Sequence, residues 1–349
     1  MRRIESEQQG LNLIFGGAVL GGGGGGCFKE ARKSLSWALS RSPINIISAE
    51  ELEREMEIAT VALVGPPSTK EEYPAPQAFI DAWEILQNNY AKKIGGIITN
   101  ENGGFASING FCQGAALDLP IVDIPCNGRA HPLGLMGAMG LQNVKDYESS
   151  QAAVSFMGDR KNQFFFRGEI SLGSNLVVSM AAANNSMVAV ARNPVSVKYA
   201  MENGAPGALE QAYQIGKQLL ELVEAGGDEV AKKAAEILKG EFLGKGFIKS
   251  KRLDQNGGLD LGTLIIEGLN MEISFYNEFI NVRSEKREVN FPDLITIFDC
   301  ETGWPQSAVD LKEGQEVSIT VIPQKNLLLG AGMRDPHLNQ LLEEKMKSL

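Results

Sequence analysis

The chain has 349 residues, 43% of them apolar and 22% charged, ordinary values for a soluble globular protein and incompatible with intrinsic disorder. This length exceeds what one hydrophobic core usually holds, so two domains, or one domain with an insertion, are expected. A formal net charge of −10 with no Lys/Arg stripe argues against nucleic acid or an anionic membrane as partner.

Acidic and amide residues follow Arg2-Arg3, where a signal peptide would carry its apolar core, and no apolar run is long enough to span a bilayer. A cytoplasmic protein without a membrane partner is the expectation. Cys27, Cys112, Cys126 and Cys300 are widely spaced with no Cys-x-x-Cys pair, which favours reduced thiols over a disulfide framework or a structural zinc site.

Leu11–Leu20 is a short apolar run that fits both helical and strand periods, and it runs into six consecutive glycines, Gly21 to Gly26. Such a run is either a flexible linker or a loop whose backbone approaches a ligand closely. Because an apolar-periodic helix is predicted over Cys27–Ser40, the glycines also offer an anion site at a helix N-terminus. The formal G-x-G-x-x-G match carries little weight, since any six glycines contain it. A ribose-binding acid at Glu50 or Glu51 after the strand Ile44–Ile47 would be needed for a dinucleotide fold.

A buried strand is predicted over Ala59–Val64, then a polar loop holding Glu72, an amphipathic helix over Pro76–Lys92, and a strand over Ile94–Thr99 that delivers Glu101. A helix over Ser107–Leu117 and a strand over Pro120–Asp123 continue the alternation, which implies a parallel sheet covered by helices. Beyond Leu141 the style changes. Strand-like stretches at 154–156 and 163–167 lead to an Ala/Met/Val-rich segment, 176–190, then to helices over 208–224 and 229–239, the second capped by Asp228. Short β segments separated by glycines follow. Residues 293–298 and 317–322 and a helix from Pro336 return to the alternating style of the start, so the tail is expected to rejoin the first domain.

Polar residues at the carboxyl ends of neighbouring parallel strands converge on one crevice. That places Glu101 and Asn102 beside Asp123, Cys126, Arg129 and His131. Glu101, next to Gly103-Gly104, is the candidate general base. Cys126 with His131 is a candidate nucleophile and base. Arg129 either clamps a substrate carboxylate or pairs with Asp123. Cys27 is at a helix start, where a dipole lowers a thiol pKa, though packing alone accounts for it. Only two histidines exist, and no familiar zinc spacing occurs; a carboxylate–thiolate metal site from Glu101, Asp123, Cys126 and His131 is the alternative to no metal.

Seven stretches in order resemble the S-methyl thiohydantoin desulfurase family: Leu20–Gly26, Gly65–Glu71, Glu101–Gly104, Gly128–Pro132, Asn277-Glu278, Phe291–Ile295 and Thr302-Gly303. Pro125 stands where the family pattern carries a second acid. The resemblance implies an α/β fold, a three-layer domain with a parallel or mixed sheet similar to the phosphofructokinase N-terminal domain, with an inserted swivelling α+β domain. On this sequence the division falls at 1–165 plus 289–349 for the first and 166–288 for the insertion. It further implies a hydrolase acting at C2 of a hydantoin-type ring with release of a thiol or amine, on a small-molecule substrate and without a cofactor. Gly23, Gly24, Gly25, Glu72, Asn102, Gly103, Asp123, Arg129, Asn277 and Glu278 are the residues expected to bind substrate. Asp293 is a cap or a site residue. A homo-oligomer is compatible with the sequence. The competing readings are a non-catalytic nucleotide- or phosphate-binding partner subunit that uses the glycine loop, and a dinucleotide-dependent redox enzyme.

Overall fold

Successive residues of a strand buried on both faces must serve two cores, and β4 (Ile94–Thr99) does so: Ile97 faces one hydrophobic cluster and Ile98 another, and both are fully buried. Each such side chain contributes roughly 1.5–3 kcal/mol relative to exposure. The structure, a computed structural model, describes residues 2–65, 73–157, 160–184, 186–256 and 259–347.

Counted along the chain, the first half holds β1 (Arg2–Ile4), α1 (Glu7–Gly21), α2 (Phe28–Leu39), β2 (Ile44–Ile47), β3 (Glu57–Val64), α3 (Pro76–Asn89), β4, α4 (Phe111–Leu117) and β5 (Ile121–Val122). It continues with β6 (Ser149–Met157), β7 (Arg160–Gly168), α5 (Ile170–Asn184), β8 (Val188–Ser196), α6 (Val197–Asn203), α7 (Ala208–Leu220) and α8 (Gly227–Ile237). The eight strands form one sheet in the order β1-β2-β5-β4-β3-β8-β6-β7. β2, β5, β4 and β3 are parallel, and the remaining strands pair antiparallel at the two edges.

The ambiguous segment at 11–20 is helical. A Ser6/Gln9 capping box starts α1, and Gly22 ends it in the left-handed conformation. Gly16 of α1 crosses Gly216 of α7 so closely that a Cβ on either would run into the other helix's backbone, at the carbonyl oxygens of Ala212 and Asn12. Small residues are therefore needed on this face. The helix expected from Ser107 starts at Phe111, because Gly110 takes φ 96° after a single 3₁₀ turn at Ala106–Ile108. The N-cap of α8 is Gly226 rather than Asp228, whose carboxylate accepts from the Ser318 hydroxyl instead.

The second sheet is antiparallel throughout: β9 (Glu241–Asn256), β10 (Leu259–Glu267), β11 (Met271–Tyr276), β12 (Glu278–Ser284), β13 (Arg287–Asn290), β14 (Leu294–Asp299) and β15 (Glu316–Ile322), in the order β13-β12-β11-β10-β9-β15-β14. β14 and β15, expected to rejoin the first sheet, belong here through pairing of β15 with β9. Sheet membership thus does not follow the division at 1–165 plus 289–349: β8 and most of the β7–α5 unit lie with the first sheet, β14 and β15 with the second. The segment after β15 returns to the first half, where the Gly128 N–H donates to Leu328 O at 2.8 Å and the Gly330 N–H to Asn127 Oδ1 at 3.1 Å. It ends in α9 (Pro336–Lys347). Among the described residues no helix is long and apolar enough to cross a membrane.

Candidate active site

Beyond the carboxyl ends of β3 and β4 lies a cavity of about 620 Å³. Its walls come from both halves of the chain: Gly25-Gly26, Asn100-Glu101 after β4, the loop at 131–135, α5, the β11–β12 turn at 276–278, and α9. This is the crevice where open α/β sheets bind ligands.

A chain of four polar side chains leads into it. Arg192, buried in β8, donates from Nη2 to Asn100 Oδ1 at 2.8 Å. Arginine only donates, so the amide oxygen of Asn100 must face it and Nδ2 must face His131 Nε2, 3.2 Å away. Nε2 is therefore an acceptor, and the neutral ring carries its proton on Nδ1. Burial, reinforced by the Arg192 charge, pushes the His131 pKa down to about 3. Glu101 Oε2 is 3.2 Å from the same Nε2 and accepts the His131 backbone N–H at 3.1 Å. The one lone pair of Nε2 is taken by Asn100, so Glu101 is held beside the ring by the backbone N–H and not by a bond to Nε2. Its carboxyl pKa is raised well above the usual range, first by burial and then by the charge of Glu278, against the pull of the His131 N–H, Arg192 and Arg129.

Glu278 opens β12 and is 2% exposed. Burial raises its carboxyl to about 8, with Arg129 opposing. Its Oε2, Arg192 Nε and Asn109 Oδ1 are buried and have no hydrogen-bond partner among the described residues, and all three residues line the cavity. Buried polar atoms left open in a cavity mark positions that a ligand or water completes.

Of the residues singled out by the sequence, Glu101, His131, Gly25, Asn277 and Glu278 line the cavity. The others do not. Cys126 is fully buried with Sγ 3.3 Å from Thr60 Oγ1, and burial pushes its thiol up to about 11, the opposite of what a nucleophile needs. Asp123 neither meets Arg129 nor faces the cavity; its oxygens accept the N–H groups of Leu209 and Glu210 at 2.7 and 3.1 Å, capping α7. Burial raises this carboxyl to about 6. Arg129 donates to backbone carbonyls from Nη1, to Pro292 O and Asp293 O at 2.9 and 2.8 Å, and from Nε, to Ala130 O at 3.1 Å, while Nη2 is buried without a partner among the described residues; its cation is 4.7 Å from the Phe291 ring centroid. It joins the loop at 129 to the second sheet rather than clamping a substrate.

Asn102 donates to Ala208 O at 2.8 Å and accepts from Ser107 Oγ at 3.0 Å, a structural role. Asp293 Oδ1 caps Gln324 N at 2.7 Å. Glu72 lies outside the described residues. With Asp123 and Cys126 engaged elsewhere, the four side chains weighed as a metal site do not converge, and among the described residues no group of three His, Cys, Asp or Glu is arranged to hold a metal.

The glycine run is a packed seam. Gly22 O and Gly23 O accept from Phe279 and Ala308 of the second half, and Gly25 O accepts from Phe105 and Ala106 of the first. A Cβ on Gly23 would meet the Phe279 ring at 2.6 Å, and one on Gly24 would overlap the Glu278 carboxylate. Gly25 lies against Gly103, whose own Cβ would strike it. The linker reading is thereby replaced by one in which the glycines let two backbones and the buried Glu278 carboxyl approach each other.

Sequence reading missed Asn100, Asn109 and Arg192. Arg192 alone left a trace, one charge inside Val188–Ser196, a strand whose first eight residues are all buried.

Comparison with proteins of known type gives three results. The family description "S-Me-THD-like, N-terminal domain" matches residues 10–165, and "S-Me-THD-like, C-terminal domain" matches residues 174–332. A crystallised protein from Chromobacterium violaceum is similar in fold, with a TM-score of 0.76 at 15% identity over 100% of this chain and 97% of that one. No curated protein matches. Because the two descriptions follow one another along nearly the whole chain, it belongs to the S-Me-THD-like family, that of the S-methyl thiohydantoin desulfurases.

Proposed function

We propose that the chain hydrolyses an S-methyl thiohydantoin-type ring at C2, releasing methanethiol. In this reaction water adds to the C2=N bond, the C2–S bond breaks, and C2 becomes a carbonyl. One proton of the water ends on the ring nitrogen and the other on the departing sulfur, so neither oxidant nor reductant is required.

The observation that carries the proposal is the pair of buried carboxyls, Glu101 and Glu278, which line one cavity from two different sheets and both titrate above the ordinary carboxylate range. Two carboxyls both held up by burial, one of them further raised by the other's charge, divide naturally into acid and base. Glu101, whose proton is favoured by burial and by the charge of Glu278, is the donor to the ring nitrogen or sulfur. Glu278, free at Oε2, takes the proton of the attacking water. The open Arg192 Nε is a donor for charge developing on the ring. The family name supports a desulfurase-type activity; the hydrolytic route and these roles are the present reading.

The test is methanethiol release from S-methyl thiohydantoins by wild type, Glu101→Gln and Glu278→Gln. Removal of one general acid or base should cost about 10²–10⁴ in turnover. Full activity in folded Glu101→Gln protein would sink the assignment.

A further inference from the structure

The cavity is larger than the reacting ring needs, and its polarity is divided. Glu101, His131, Asn100 and Arg192 form one connected polar set. By contrast Leu133, Leu135, Leu259, Tyr276, Leu338 and Leu341 all line the cavity and all belong to a single hydrophobic cluster, built where α9 packs back onto the first half. Val64 and Val177 extend the apolar wall from a second cluster on β3 and α5. A methylthio-substituted ring has eight heavy atoms and so fills roughly 240 Å³ at about 30 Å³ each, the share of a water in the liquid. That leaves more than half of the 620 Å³ for something else. Apolar walls of this extent bind apolar groups and penalise unpaired polar ones.

We propose that the site selects rings whose 5-substituent is a bulky apolar group, of the isobutyl or benzyl type, seated against the wall formed by α9 and the 133–135 loop. The ring itself is placed by the hydrolase reading above; the substituent is placed by the wall alone. The competing source of binding at this end is Lys345 of α9, which also lines the cavity and would favour an acidic substituent.

The experiment is calorimetric titration of the full chain with hydantoins bearing hydrogen, methyl, isobutyl, benzyl or carboxymethyl at position 5, run beside methanethiol release from the corresponding S-methyl thiohydantoins. Affinity should rise roughly fourfold per buried methylene, so that the isobutyl ring binds at least about tenfold tighter than the unsubstituted one. Leu341→Gln should weaken the isobutyl ring more than the unsubstituted ring. Affinity that is flat across the series, tightest binding of the carboxymethyl ring, or an equal loss for both rings in Leu341→Gln overturns the inference. A size-dependent affinity without methanethiol release supports it while removing the hydrolase reading. Turnover with a kcat/KM indifferent to the substituent does the reverse, and binding of no ring at all removes both.

Discussion

Replacing Gly25 by alanine separates a packed seam from a mobile linker. Gly25 has φ +76°, and an added Cβ would lie inside contact distance of Gly103 Cα and 3.3 Å from Gly103 C, backbone atoms that have no rotamer to move into. The left-handed conformation costs a residue with a side chain roughly 1–2 kcal/mol, and overpacking adds about 1–3 kcal/mol. Reduced freedom of the unfolded chain returns about 0.4–1 kcal/mol. The net loss is therefore about 1–5 kcal/mol. Gly314 supplies the control: its φ is +81°, nearly the same, yet a Cβ there meets nothing within 4 Å. Gly314→Ala should carry only the dihedral cost, about 1 kcal/mol or less after the same entropic return. Urea unfolding of both variants, followed by circular dichroism, measures the difference directly. Equal losses, or a gain in stability for Gly25→Ala, would refute the seam.

Glu278 predicts a pH dependence. Between about 4.5 and about 8 the folded chain keeps a proton that the unfolded chain has released, so stability present at low pH is lost as pH climbs through that window. Unfolding midpoints against pH should show this slope and its flattening in Glu278→Gln, while kcat/KM of the wild type rises toward pH 8. Cys126→Ala should leave turnover within about threefold, because a thiol held protonated by burial is not the nucleophile; loss of activity in folded protein would restore that role. Arg192→Met frees Asn100 to turn and removes a charge that restrains Glu101, so turnover should fall by up to about 100-fold and the alkaline limb of the pH–rate profile should move up. An unmoved profile would mean Arg192 is merely structural.

Much of the first sheet was legible because β3, β4 and β5 are apolar runs of strand length separated by recognisable helices and turns. Their alternation with helices implied parallel pairing, though not their order in the sheet. What fails is whatever depends on a distant partner. The period of 11–20 did not decide between helix and strand, since the residue that makes Gly16 necessary is Gly216, two hundred positions away. β14 and β15 have the composition of the first sheet's strands, yet β15 pairs with β9 and β14 with β15, and no local pattern encodes which edge a strand joins.

The site divides along the same line. Glu101 was found because it is an acid placed where a strand ends, and chain geometry then aims it into the crevice; Glu278 was singled out only through the family resemblance, and the β11–β12 turn brings it to the same cavity. Asp123 and Cys126 occupy similar places in the sequence and go elsewhere, because β5 is only two residues long and its exit is turned at once toward the N-terminus of α7. A carboxyl aimed at N–H groups becomes a cap; a thiol turned inward beside Thr60 becomes inert. The same desolvation that raises Cys126 and disables it also raises Glu101 and Glu278. Burial is thus not itself a mark of function. In the roles proposed here it equips an acid that works by holding a proton and a base that takes one near pH 8, and it silences a thiol raised to about 11, which keeps its proton.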